Sequence, residues 1–214
     1  MNDREIRMLE FEIRAEENEE HGHFITGTPI VFGQETNLGW CREVMEPGAV
    51  DKKTDLKDVR FFVGHKVDTI PLARSRNNNE HSTMQMKITD RGMEIRVDLD
   101  VENNADAKAL YSAVKRGDIS GMSFMFTIDK CVWEDVDTDN PLRRVLHIRK
   151  VYEVSAVAFP AYEGTDIQAA SREGTPEGGS SALDSVAKRE LEELKAQRKA
   201  DRERREKALR MLRG

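Results

Sequence analysis

Apolar and polar residues alternate along much of the first 160 positions. Leu9, Phe11 and Ile13 do so near the start, the period-2 signature of a half-buried strand. Phe24 to Phe32 is a second apolar run, and Gly27 and Pro29 inside it predict a bulge or an edge position. Val59 to Val63 is a short apolar strand ending at Gly64-His65, and Ile70 to Arg74 reads as another short strand after a turn. Met84, Met86 and Ile88 alternate, as do Met93, Ile95, Val97, Leu99 and Val101. Thr89-Asp90-Arg91-Gly92 between them carries turn residues, which predicts a β-hairpin. The period then changes. Ala107, Leu110, Tyr111 and Val114 fall at helical spacing, with Asn103 or Asn104 as N-cap and Gly117 as the stop. Phe124, Phe126 and Ile128 return to alternation. Asp135 to Pro141 is an acidic loop, and Val145 to Phe159 holds one or two further strands before Pro160.

Beyond that point the pattern stops. Ser171 to Ser181 is rich in Gly, Ser, Pro, Glu and Thr, a linker composition. Leu183 to Leu212 has no internal Gly or Pro and is rich in Ala, Leu, Glu, Lys and Arg, so it favours helix. Its long polar middle breaks any clean heptad. These changes divide the chain into a β domain over 1–168, a linker over 169–182 and a charged helical tail over 183–214. The fold expected is mostly β with flanking helices, an α+β arrangement. Many short alternating strands point to a closed barrel or sandwich.

Charge sharpens this division. The 214 residues carry a net charge of −6, while 183–214 hold 11 Lys+Arg against 7 Asp+Glu. The body is therefore acidic, which argues against nucleic-acid binding. No stretch approaches the roughly 20 apolar residues of a membrane-spanning helix. Met1 to Glu5 lacks the apolar core of a secretory signal, so a cytosolic setting is expected. Cys41 and Cys131 lack metal-ligand spacing and read as reduced packing residues.

Three polar residues embedded in apolar strands carry the candidate chemistry. Ser123 follows the glycine-bearing segment Gly117-Asp118-Ile119-Ser120-Gly121 and shares a strand face with Met125. Ser120 is the rival nucleophile. His65 alone of five histidines ends an apolar strand, and its pKa of about 6.5 suits a general base. Glu153, in Val151-Tyr152-Glu153-Val154-Ser155, could hold that imidazole, with Asp68 as competitor. His21-Gly22-His23 near Glu17, Glu19 and Glu20 is a weak metal candidate in a polar segment. There is no phosphate-cradling glycine loop and no Gly-X-Ser-X-Gly elbow, so no cofactor is expected and a small-molecule esterase is disfavoured.

Four ordered segments resemble the tailed-phage prohead, or capsid maturation, serine proteases. They are Glu43-Val44-Met45-Glu46-Pro47-Gly48-Ala49, the strand-terminal His65, Arg116 to Phe124, and Glu153-Val154-Ser155 with Pro160-Ala161-Tyr162. The resemblance covers about residues 5–168. Two departures stand out: Gly64-His65-Lys66 where the family often has Asn-His-Asp, and Met125 where it often has Gly. The family resembles the herpesvirus assembly proteases, which implies a small closed antiparallel β-barrel with surrounding helices. The resemblance implies Ser123 as nucleophile, His65 as base and Glu153 as third member. It also implies an endopeptidase in the host cytoplasm, inside the assembling procapsid. Its partners would be the scaffolding segment of the major capsid protein and the chain itself, by self-cleavage and as a possible homodimer. The alternative from another class is a non-catalytic scaffold or assembly module acting through the helical tail.

Overall fold

The alternating segments build two sheets. The computed structural model describes residues 4–9, 13–20, 22–158 and 185–213. Met84–Thr89 (β8) and Gly92–Asp98 (β9) form the expected hairpin, closed by Asp90-Arg91. Gly22–Val31 (β3) pairs with β9 and with Ile13–Asn18 (β2), giving a four-stranded sheet of order β2-β3-β9-β8. The ladder between β3 and β9 shifts register between Gly27 and Ile30. Pro29 lies in that gap, where a residue without an N–H costs no ladder bond.

The second sheet has seven strands. Glu5–Leu9 (β1), Gly121–Glu134 (β10), Leu142–Val157 (β11), Arg42–Met45 (β5) and Glu35–Asn37 (β4) lie side by side in that order. Asp58–Val63 (β6) also pairs with β11, and Ala73–Arg76 (β7) pairs with β6. The long β11 takes β5 along Leu142–Val145 and β6 along Glu153–Ala156, both parallel. This placement fixes the site, because it sets the end of β6 beside the last residues of β11.

The inner faces share one core. Ile25, Ile30, Met84, Met93 and Val97 from the four-stranded sheet belong to the same buried cluster as Phe61, Phe124, Phe126, Ile148 and Val154 from the larger one. Full burial of such side chains is worth about 1.5–3 kcal/mol each. Ala105–Arg116 (α1) lies against β2 and β3 and adds Ala107, Leu110 and Val114 to that cluster. Its N-cap is Asn104, whose side chain accepts from the N–H groups of Asp106 and Ala107. Gly117 ends it in the left-handed conformation at φ 80°, with its N–H donating to the Ala113 and Val114 carbonyls.

Ser185–Arg213 (α2) realises the helical tail. Its first turns are docked: Ala187 and Leu191 pack with Cys41, Trp133 and Val136 in a second, smaller cluster. Lys188 lies 5.2 Å over the Trp40 ring. From Lys199 to Lys207 the side chains are exposed. Cys41 and Cys131 are not joined in a disulfide, and burial pushes the Cys131 thiol up, as befits a packing residue.

Three expectations are corrected. Leu9 and Ile13 do not share a strand, because Leu9 ends β1 and Ile13 begins β2 in different sheets; Phe11 lies outside the described residues. The strand expected over Ile70–Arg74 begins later, at Ala73. Neither sheet closes into a barrel among the described residues: β4 and β7 end ladders of the larger sheet, and β2 and β8 end the smaller. The parallel additions of β5 and β6 occupy the edge of β11 that would otherwise continue round a closed ladder. The linker segment Ser171–Ser181 lies outside the described residues.

Candidate active site

Strand pairing brings the three polar residues together. Ser123 on β10 stands opposite Ser155 on β11, and Met125 stands opposite Glu153. Opposed residues share a sheet face, so Ser123, Ser155 and Glu153 lie on one face. Phe124 and Val154 point the other way, into the core. Ser123 and Ser155 are fully buried, and Glu153 is 2% exposed.

His65 reaches this face from the end of β6. Parallel pairing sets Arg60 opposite Glu153 and Phe62 opposite Ser155, so the chain leaves β6 just beyond the carboxylate. Gly64 and His65 both turn through the left-handed region, at φ 60° and 59°. For Gly64 this costs little. For His65 it costs on the order of 1–2 kcal/mol, offset by two contacts to β11. The His65 N–H donates to Ser155 Oγ at 3.2 Å, and His65 Nδ1 lies 2.6 Å from Glu153 Oε1. Backbone strain held by specific partners is common where geometry serves function.

The hydrogen bonds assign the ring's proton. A carboxylate only accepts, so neutral His65 carries its hydrogen on Nδ1 and its lone pair on Nε2. Glu153 Oε2 accepts from Ser155 Oγ at 2.6 Å, so both of its oxygens are held. Nε2 is buried and has no hydrogen-bond partner among the described residues. Thr127 Oγ1, Trp133 Nε1 and Arg143 Nε share this condition, but His65 Nε2 alone of these four is the basic nitrogen of an oriented imidazole. Ser123 Oγ donates to the Arg7 carbonyl at 2.8 Å.

The rivals stand elsewhere. Ser120 is exposed before β10 begins, and Asp68 is exposed in the loop after His65. His23 lies near Glu17 at 3.5 Å and edge-on to Tyr111. His81 is 87% exposed beside Glu80. His147 bridges Asp129 at 3.1 Å and Asp51 at 3.2 Å. His21 lies outside the described residues. Among the described residues no group of three or more His, Cys, Asp or Glu side chains could hold a metal ion.

Two features escaped sequence reasoning. Ser155 is the hydroxyl that ties Glu153 to the His65 backbone; its spacing of two from Glu153 in a strand was the available signal. The other is a buried charge cluster against Ser123's strand. Arg7 pairs with Glu43 through Nε and, at 2.8 Å, through Nη2, and with Glu5 at 2.7 Å. Arg143 pairs with Glu5 at 2.6 Å and Glu43 at 3.2 Å, and reaches Glu190 of α2 at 2.7 Å. Arg7, Arg143, Glu5 and Glu43 are each at most 3% exposed. Burial works to raise the Glu43 carboxyl, but the Arg7 and Arg143 guanidiniums outweigh it and hold the carboxyl below its usual range.

A serine, an imidazole and a carboxylate gathered on one sheet face are the parts of a serine protease. The chain belongs to the caudovirus prohead serine protease family, whose model matches residues 9–177. Membership places it among the serine proteases of phage capsid maturation. No curated protein and no solved structure matches the chain. No helix among the described residues is long and apolar enough to cross a membrane.

Proposed function

We propose that the chain is a serine endopeptidase in which Ser123 is the nucleophile, His65 the general base and Glu153 the group that orients the imidazole. The observation that carries this reading is the buried, unpartnered Nε2 of His65, whose other nitrogen is fixed by Glu153. Ser123 turns about its Cα–Cβ bond, leaves the Arg7 carbonyl and offers its proton to Nε2. Oγ then attacks a peptide carbonyl. The imidazolium is stabilised by the Glu153 carboxylate and returns its proton to the departing amine. Water, activated by the same nitrogen, hydrolyses the acyl-enzyme and frees Ser123.

The substrates in this reading are the scaffolding segment of the major capsid protein and the chain itself, within the procapsid. Self-cleavage falls in the Gly- and Ser-rich stretch 171–181, whose linker composition suits a protease substrate. The test is the intact mass of wild type and Ser123→Ala, each incubated alone and with the cognate capsid protein. Discrete fragments in wild type and none in the variant are expected. Fragments in both would move the nucleophile to Ser120 or elsewhere. Fragments in neither would favour the non-catalytic assembly role.

A further inference from the structure

A groove opens beside His65. Its volume is about 350 Å³, and it runs between α1 and the segment that carries the histidine. Val63 and Lys66, which flank Gly64 and His65, form one wall, and Ile119, four residues before Ser123, closes another. The groove is therefore lined by the chain segments on either side of the proposed base and before the proposed nucleophile. Ala109 and Ala113, one turn apart on α1, leave a trough in the helix surface.

The segment after His65 is the unusual part. Ile70 is 83% exposed and Val67 55% exposed, in a chain with 35% charged residues. Both belong to the short segment that follows His65, and Ile70 lines the groove itself. Aliphatic side chains held in water around a shallow apolar trough mark a contact surface. The volume lies at the low end of ligand pockets, about 300–1,000 Å³, so it suits one or two side chains rather than a folded partner. Lys66, Thr69 and Asp106 add the few polar groups that an extended backbone would need.

We propose that this groove is a specificity subsite that receives an aliphatic side chain, Val, Ile or Leu, of the substrate polypeptide close to the cut bond. The proposal rests on the catalytic reading of Ser123, His65 and Glu153, and it adds a substrate class to that site. Continuity along the chain selects substrate as the occupant: Val63 and Lys66 of the groove bracket His65, and Ile119 leads into the strand that carries Ser123.

The full-length protein would be tested on synthetic decapeptides in which one position at a time is varied among Gly, Ala, Val, Leu, Asp and Lys. One position is expected to favour Val or Leu over Gly by at least about tenfold in kcat/KM, the usual worth of a filled apolar pocket. Ala109→Leu fills the trough from an exposed helix position with a good helix former. It should reduce that ratio to within about twofold. An unchanged ratio, or no aliphatic preference at any position, overturns the proposal. A second measurement does not depend on turnover. A decapeptide carrying photo-leucine is irradiated with Ser123→Ala protein, and crosslinks are expected within 62–72 and 109–119. Crosslinks elsewhere overturn the subsite. Crosslinks in the groove with no cleavage of any peptide by wild type would keep the subsite and sink the catalytic reading. Self-association lost in Ile70→Ser, with peptide preference unaltered, would assign the groove to a second copy and overturn the proposal.

Discussion

The larger sheet buries two polar constellations that meet at Arg7 and Ser123, and they differ in what they leave over. In the first, Glu5, Arg7, Glu43 and Arg143 set two cations against two fully buried anions, with Glu190 at the edge; every oxygen of Glu5 and Glu43 accepts a hydrogen bond, and among the described residues the atom left over is a donor, Arg143 Nε. In the second, Glu153 is equally well held, but His65 Nε2 has no partner among the described residues and Ser123 donates its proton to the Arg7 carbonyl. A balanced buried network cannot lose a member without stranding a charge. The second constellation keeps an acceptor ready for a proton. The difference is one of kind: the charge cluster leaves over a donor N–H on a cation, and the constellation beside Ser123 leaves over an acceptor lone pair, although both look like buried polar residues in strands.

The sharpest break between the two comes from Ser123→Ala and His65→Ala. Each should cut peptide hydrolysis by about 10⁶-fold, as loss of a nucleophile or base does. Ser123→Ala removes one hydrogen bond, so denaturant unfolding should shift by only about 1 kcal/mol. Glu153→Gln comes next, with a loss of about 10⁴-fold in kcat, because an amide no longer dictates the proton on Nδ1. Arg143→Met should do the opposite. It leaves Glu5 and Glu43 sharing one guanidinium, and should cost about 3–5 kcal/mol in urea or guanidinium unfolding.

The smallest effect is in the pH dependence. Arg7 and Arg143 lower the Glu43 carboxyl on folding. A depressed carboxyl contributes stability that is fully present above its unfolded pKa of about 4.3 and is lost as pH falls through the folded value. The chain should therefore hold this contribution from neutrality down to about pH 5 and lose it on further acidification. In Glu43→Gln, the acid limb of a stability-against-pH curve should be shallower. An identical acid limb would mean that the cluster does not act as a charged unit.

Local pattern carried much of the fold and less of the site. The β8–β9 hairpin and α1, with its Asn104 cap and Gly117 stop, were legible because their signals lie within a few residues. The parallel pairing of β5 and β6 on β11 was not, since the partners lie about 90 to 100 positions apart and nothing local records their register. β10 and β11 pair over 14 and 16 residues with several register shifts between Met125 and Cys131, which blur alternation in the middle of both strands. Ser123, His65 and Glu153 stood out as polar residues in apolar strands, and the structure sets His65 against Glu153 on Ser123's sheet face. The charge cluster was hidden. Glu5 and Arg7 alternate with Ile6 and Met8, so either face could be the wet one. Arg143-Arg144 reads as a solvated pair, yet Arg143 is fully buried and Arg144 is 37% exposed. The docking of α2 was equally obscure, because Ala187 and Leu191 make no heptad.

The most direct test of the incomplete constellation is reaction with a fluorophosphonate probe, followed by peptide mapping. The account predicts a single adduct on Ser123 in wild type, absent in His65→Ala because the hydroxyl has lost its base. An adduct on Ser120, or cleavage of the capsid protein with Ser123 unlabelled, would contradict it.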